Sequence, residues 1–213
     1  MTPYYEADGI TLYHGDCLEI DAWLTGDVLV TDPPYGMNIP LAVAEQFSDS
    51  QLRRRRRVTG DKDTKQRDRA LALWGDKPSI VFGIWHKPRP PEVRQLLIWD
   101  KGRQSMGDPS ASWQLSHEEI YATGRHQPGH RQTVLHSQVE RGGDRPDHPT
   151  PKPVGLMELL LDVAAPGTVV DPFAGSGSTL LAARNQGRTA IGVEIEERYC
   201  ELIAGRLAQG VLL

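Results

Sequence analysis

Cysteine is scarce in this sequence: 213 residues hold only Cys17 and Cys200, and no Cys-x-x-Cys pair occurs. A disulfide scaffold is therefore not expected, and a reducing compartment, the cytoplasm, is the expected location. No apolar run approaches the roughly 20 residues that a membrane span requires. The opening Met-Thr-Pro-Tyr-Tyr-Glu lacks a signal-peptide pattern. No Gly-Lys-Ser or Gly-Lys-Thr is present, which speaks against a nucleoside-triphosphate loop. Hydrophobic residues make up 38%, enough for one domain over residues 1–213 with a sizeable core and long loops.

Basic charge is also thin, except in one place. The net charge is −4, yet nine Lys or Arg face three Asp between Arg53 and Arg69. That segment is locally +6, which leaves −10 on the remainder. Five arginines in a row, Arg53, Arg54, Arg55, Arg56 and Arg57, suit a polyanion better than a solvated loop without a partner.

The stretch Thr31-Asp32-Pro33-Pro34-Tyr35-Gly36-Met37 follows the apolar run Val28-Leu29-Val30, which reads as the end of a buried strand. The two prolines stop the strand and stiffen the turn. They leave a carboxylate, a free carbonyl and an aromatic ring on a rigid tip. Those groups can hold a planar ring that carries an amino group, although a plain strand-ending turn explains the residues equally well on their own.

Around this stretch the chain reads as alternating strands and helices. Strands are expected at residues 10–14, 27–31, 78–83, 96–99, 118–122, 168–171 and 189–193. Helical stretches are expected at 18–24, 67–74, 92–97, 156–164, 180–185 and 197–207, with a short helix near 41–47. Residues 38–66 read as a basic insertion, and 124–149 as a long exposed loop. Four of the seven histidines lie in that loop, but Pro128-Gly129 separates His126 from His130 and no acidic or cysteine partner is close. No metal site is expected there.

Near the end, Val169-Val170-Asp171 leads into Pro172-Phe-Ala-Gly175-Ser-Gly177-Ser-Thr179, a helix, a strand and Glu194. A strand, glycine loop, helix, strand and acidic residue form the unit that binds nucleosides in doubly wound sheets. Leu180 stands at the third glycine position of a dinucleotide fingerprint, which argues against NAD. Asp171 offers an acceptor for an amino group. A nucleoside with an amino-acid tail, S-adenosylmethionine, fits these features.

Four stretches together resemble the β-group of S-adenosylmethionine-dependent DNA amino-methyltransferases. They are Thr31-Asp-Pro-Pro-Tyr35, His148-Pro-Thr-Pro-Lys-Pro153, Val170-Asp-Pro-Phe-Ala-Gly-Ser-Gly177 and Ile191-Gly-Val-Glu194, and the catalytic half precedes the cofactor half, as in that group. The resemblance implies a Rossmann-like, doubly wound, mostly parallel α/β sheet in the circularly permuted methyltransferase arrangement. It implies that Phe173 packs on the cofactor and that Gly175 and Gly177, with Ser178, line its methionine portion. Glu194 would hold the ribose, and Asp16 the adenine amino group, unless Asp16 is only a helix cap. Thr150, Lys152 and Thr179 are candidates for the cofactor carboxylate, with a solvated loop lysine the alternative for Lys152.

The same resemblance implies a mechanism. Asp32 and the Pro33 carbonyl would hold the two hydrogens of a base amine, and Tyr35 would stack on a base flipped from double-stranded DNA. Adenine N6 is the expected target because Asp is its commoner partner in the group, whereas cytosine-N4 enzymes more often carry Ser. Neither cysteine follows a proline, as cytosine carbon-5 chemistry would need. An RNA base methyltransferase, or a DNA-binding protein that keeps the fold without turnover, stays open. Residues 124–148 are a short region for target recognition. Recognition could be brief, relaxed, shared in a homodimer, or supplied by residues 38–66.

Overall fold

The structure, a computed structural model, describes residues 1–36, 62–102, 112–113, 115–137, 148 and 150–209. Arg53 to Arg57, the expected helix at 41–47 and most of the basic insertion lie outside the described residues.

Nine strands form one sheet: β1 (Tyr5–Ala7), β2 (Ile10–His14), β3 (Val28–Thr31), β4 (Ser79–Gly83), β5 (Gln95–Asp100), β6 (His117–Thr123), β7 (Val134–His136), β8 (Val169–Asp171) and β9 (Ala190–Glu194). Their order is β1-β2-β9-β8-β3-β4-β6-β5-β7. The five strands from β2 to β4 run parallel, and β6 lies antiparallel between β4 and β5. The helices are α1 (Lys65–Trp74), α2 (Val154–Leu161), α3 (Ser178–Asn185) and α4 (Glu197–Ala208).

The central strands β3, β4 and β8 are buried on both faces, so they read as continuous apolar runs rather than alternating ones. Side chains of the sheet nevertheless sort by parity. Val28, Val30, Ile80, Phe82 and Ala190 join Leu156, Leu160, Leu180 and Ile203 of α2, α3 and α4 on one face. Leu29, Val81, Val170 and Val193 meet Trp23 and, from α1, Ala70 and Trp74 on the other. Trp23 and Trp74 stack there at 5.8 Å. The result is a three-layer α/β/α fold of the doubly wound kind.

Three local expectations change. Residues 18–24 form turns and a 3-10 helix, Ala22–Thr25: the amide of Leu18 bonds Asp16 Oδ1 and those of Glu19 and Ile20 bond the Asp16 carbonyl, a single turn that does not extend into an α-helix. No helix forms at 92–97: Glu92 takes a positive φ of 56°, and the following residues pair with β6 as β5. A six-residue helix would be marginal against that pairing. The loop after Gly124 contributes β7, which adds to β5 in parallel.

The direction of winding places the crevice. After β8 the chain passes through α3 to β9 on one side, and after β3 it passes through α1 to β4 on the other. β8 and β3 are neighbours, so the order reverses between them, and ligands of such sheets bind beyond the strand ends there.

Candidate active site

Asp171 ends β8 and Thr31 ends β3, and the two meet across the reversal point. Thr31 Oγ1 donates to Asp171 Oδ1 at 2.6 Å, and Thr179 Oγ1 donates to Oδ2 at 2.6 Å. The amide of Phe173 adds a third bond at 3.1 Å. Burial raises the Asp171 carboxyl, while the three donors pull it back. Asp171 thus clamps the start of the glycine loop to both strands and to α3. Thr179, expected at a cofactor carboxylate, spends its hydroxyl on this clamp.

The loop itself is shaped by glycine. Gly175 and Gly177 take φ of 53° and 78°, values that residues with a Cβ rarely adopt. A Cβ on Gly175 would stand 3.1 Å from His148 Nε2, and one on Gly177 would collide with Ile203 at 2.8 Å. His148 therefore packs down on the loop, with its ring edge-on to Tyr199 at 4.7 Å. Ser178 Oγ donates to the Lys152 carbonyl at 2.6 Å, which fastens the segment 150–153 to the N-terminus of α3.

At the far side of the crevice, β2 and β9 end together in register, His14 opposite Glu194. The Glu194 carboxylate accepts from the amides of Gly175 at 2.7 Å and Glu196 at 2.8 Å, one on each oxygen. Each oxygen keeps a lone pair for another donor. Burial lifts this carboxyl to about 7 against the pull of the two amides. Asp16 lies two residues beyond His14, its Oδ1 accepting from the amide of Leu18 at 2.9 Å. Phe173 is half-buried, packed against the apolar cluster that includes Val170 and Val193. Two carboxylates with spare lone pairs, an aromatic ring and a backbone that glycine lets a ligand approach fit a nucleoside.

One strand further, Asp32-Pro33-Pro34-Tyr35 leaves β3. Asp32 pairs through Oδ2 with the Lys152 ammonium, while its Oδ1 is shut off from solvent and has no hydrogen-bond partner among the described residues. The Asp32 side chain keeps 21% exposure, whereas Tyr35, the expected stacking ring, is only 8% exposed and belongs to the core. Burial raises the Asp32 carboxyl to about 6, against the pull of Lys152. Lys152, expected at the cofactor carboxylate, lies instead on this acceptor.

Sequence reasoning missed the second anion of the cluster. Glu118 of β6 is buried, its Oε2 3.3 Å from Lys152 Nζ and its Oε1 bound by Lys101 at the end of β5. Burial opposes the charge on Glu118, but Lys152 and Lys101 outweigh it and hold the carboxyl below its usual range. Burial likewise opposes the charge on Lys152, and Asp32 with Glu118 outweighs that, holding the ammonium above its usual range. The available signal was an acidic pair, Glu118-Glu119, opening an otherwise apolar strand, since a buried carboxylate requires a partner. Of the other motif histidines, His126 bonds the Thr123 carbonyl at 2.9 Å and accepts from the Ala165 amide at 3.3 Å, which occupies both ring nitrogens.

A family model described as DNA methylase, for the N6 and N4 amino-methylating enzymes, matches residues 42–205. The chain belongs to this family. It is 28% identical to the type II methyltransferase M.ScaI of Streptomyces caespitosus, over 96% of this chain and 83% of that one. It is 31% identical to the putative methylase YubD of Escherichia coli strain K12, over 91% of this chain and 88% of the relative. The fold is similar to that of M1.HpyAVI in complex with S-adenosylmethionine, with a TM-score of 0.64 and 21% identity, covering 93% of this chain and 98% of the other. It is also similar to PvuII DNA methyltransferase, a cytosine-N4-specific enzyme, with a TM-score of 0.68 and 16% identity over 99% and 90% of the two chains. Among the described residues of this chain, no helix is long and apolar enough to cross a membrane.

Proposed function

We propose that the chain methylates the N6 amino group of an adenine flipped out of duplex DNA, using S-adenosylmethionine. The observation that carries this is the buried Oδ1 of Asp32, an acceptor without a hydrogen-bond partner among the described residues and held beside a nucleoside-binding crevice. Glu194 and Asp16 would hold the ribose and adenine amino groups of the cofactor, and Phe173 and the Gly175–Gly177 loop would receive the rest. When bound, the cofactor supplies an electrophilic methyl group on a sulfonium.

The rest of the chemistry belongs to this chain. An exocyclic amine is a weak nucleophile, because its lone pair is delocalised into the ring. Accepting its two hydrogens at Asp32 and at the Pro33 carbonyl favours a pyramidal nitrogen and returns the lone pair to it. Direct transfer then needs positioning and electrostatics, with no covalent enzyme intermediate. The methylated nitrogen must release one proton, and the Asp32 carboxylate, raised to about 6, is the adjacent base. The thiols stand apart from this chemistry: burial pushes both Cys17 and Cys200 up to about 12.

DNA would lie across the same rim. The loop after β4 presents Trp85 at 63% exposure, and a Cβ on Gly36 would stand 3.3 Å from the Lys87 ammonium. Lys87 and the arginines at 53–57 would meet phosphates, which position the duplex without reading sequence. Residues 124–148 would supply a short region for recognising the target.

Asp32→Ala tests the assignment. Methyl transfer to DNA should fall by a factor on the order of 10³ or more, while cofactor affinity stays within a few-fold, as measured by calorimetry. Wild-type rates from this variant would contradict the role given to Asp32.

A further inference from the structure

The cluster around Lys152 holds more order than an acceptor carboxylate requires. Lys101, Glu118, Lys152 and Asp32 alternate in sign, and their formal charges cancel. They come from four places: the end of β5, the start of β6, the segment before α2 and the end of β3. Among the described residues, Asp171 of β8 is the remaining charged group that acts on Asp32.

An ammonium offers donors and no acceptor. The target amine likewise comes to Asp32 as a donor, and its nitrogen gains positive charge as the methyl arrives. A lysine that stays on Asp32 both occupies Oδ2 and opposes that charge. The neighbouring recipient is already in place. Glu118 Oε2 is buried, 3.3 Å from Lys152 Nζ, and makes no hydrogen bond among the described residues. Lys101 holds the other oxygen of Glu118, so this carboxylate is fixed where it stands.

We propose that Glu118 is a positioning residue for methyl transfer, taking the Lys152 ammonium from Asp32 when the target amine arrives. The proposal rests on Asp32 as the amine's acceptor. The handover moves one ammonium from a half-buried carboxylate to a buried one, so the cluster's net charge is unchanged. Lys152 stays between two anions throughout, and Asp32 meets the amine without an ammonium on its carboxylate.

The test is single-turnover methyl transfer to duplex DNA across pH, at saturating cofactor, for the wild type, Glu118→Gln and Glu118→Asp. Glu118→Gln leaves the ammonium on Asp32. It should lower the pH-independent rate at least tenfold and move the acid limb to lower pH, with cofactor affinity within twofold. Glu118→Asp should restore part of the rate. A Glu118→Gln plateau equal to the wild type overturns the proposal, because charge alone would move the limb and spare the plateau. A lower plateau with an unmoved limb also overturns it, since that is the mark of a merely structural residue. Should Glu118→Gln fail to fold, Lys101→Met carries the test. It frees Glu118 to draw Lys152 away, so the limb should move to higher pH, and an unmoved limb overturns the handover. Asp32→Ala runs alongside: activity in that variant refutes the acceptor assignment itself, separately from Glu118.

Discussion

Glu194 shows how much a single residue can disclose from sequence. An acidic residue that closes the strand after a glycine loop has few other places to be, and the structure puts it at the crevice with both oxygens oriented by backbone amides. Its carboxyl is raised to about 7 by burial, from an ordinary value near 4.5. A raised carboxyl contributes stability that is fully present below its unfolded value and is lost as pH rises through the folded one. Ribose hydroxyls bind the ionised form better, so cofactor affinity should rise with pH through about 7. Titration calorimetry should show weaker binding at pH 6 than at pH 8, approaching about tenfold per pH unit below the shifted value. Glu194→Gln should bind weakly at both, and a pH-independent wild-type affinity would refute the role. Glu118 was not legible in the same way. Its partners, Lys101 and Lys152, come from separate elements, and nothing local to β6 names them.

At the scale of elements, the glycine loop reached by sequence was right in kind and incomplete in detail. Leu180 at the third glycine position excluded a dinucleotide fingerprint, yet α3 still lies close on the sheet. Gly192 makes the room instead: a Cβ there would stand 2.6 Å from Leu180 Cδ1 and 3.3 Å from Leu12 Cδ1. The small residue has moved from helix to strand. Gly192→Ala should therefore destabilise the fold by about 1–3 kcal/mol through overpacking. Thermal melting should register a fall of roughly 2–4 °C for each kcal/mol, and an unchanged melt would show that Leu180 repacks freely. The helices expected at 18–24 and 92–97 failed for one shared reason. Both are too short to hold on weak local preference, and at 92–97 sheet pairing as β5 replaces the helix.

For the whole molecule, the order of the motifs proved more informative than any one of them. Asp-Pro-Pro-Tyr leaves β3 and the glycine loop leaves β8, and these two strands lie side by side although the motifs are far apart in sequence. The antiparallel place of β6 and the docking of β7 are set by pairing across the sheet, which no local pattern encodes. Charge is divided as unevenly, with a net −4 chain that concentrates nine Lys or Arg between Arg53 and Arg69. Lys87→Gln, combined with Gln at positions 53–57, should weaken binding to DNA of any sequence and flatten its salt dependence, with the slope falling by about 0.9 for each phosphate no longer neutralised. Fluorescence anisotropy in a salt series reads this directly, and unchanged affinity at low salt would remove these cations from the interface.

Everything assigned to the crevice depends on the transfer of a methyl group to an exocyclic base amine held by Asp32. Mass spectrometry of nucleosides decides it, using duplex DNA and RNA incubated with the protein and isotope-labelled S-adenosylmethionine. Label is expected in N6-methyldeoxyadenosine from DNA, and its loss is expected with Asp32→Ala. Label on cytosine N4 would overturn the choice of base alone. Label at cytosine carbon 5, label confined to RNA, or no labelled nucleoside at all would contradict the assigned reaction.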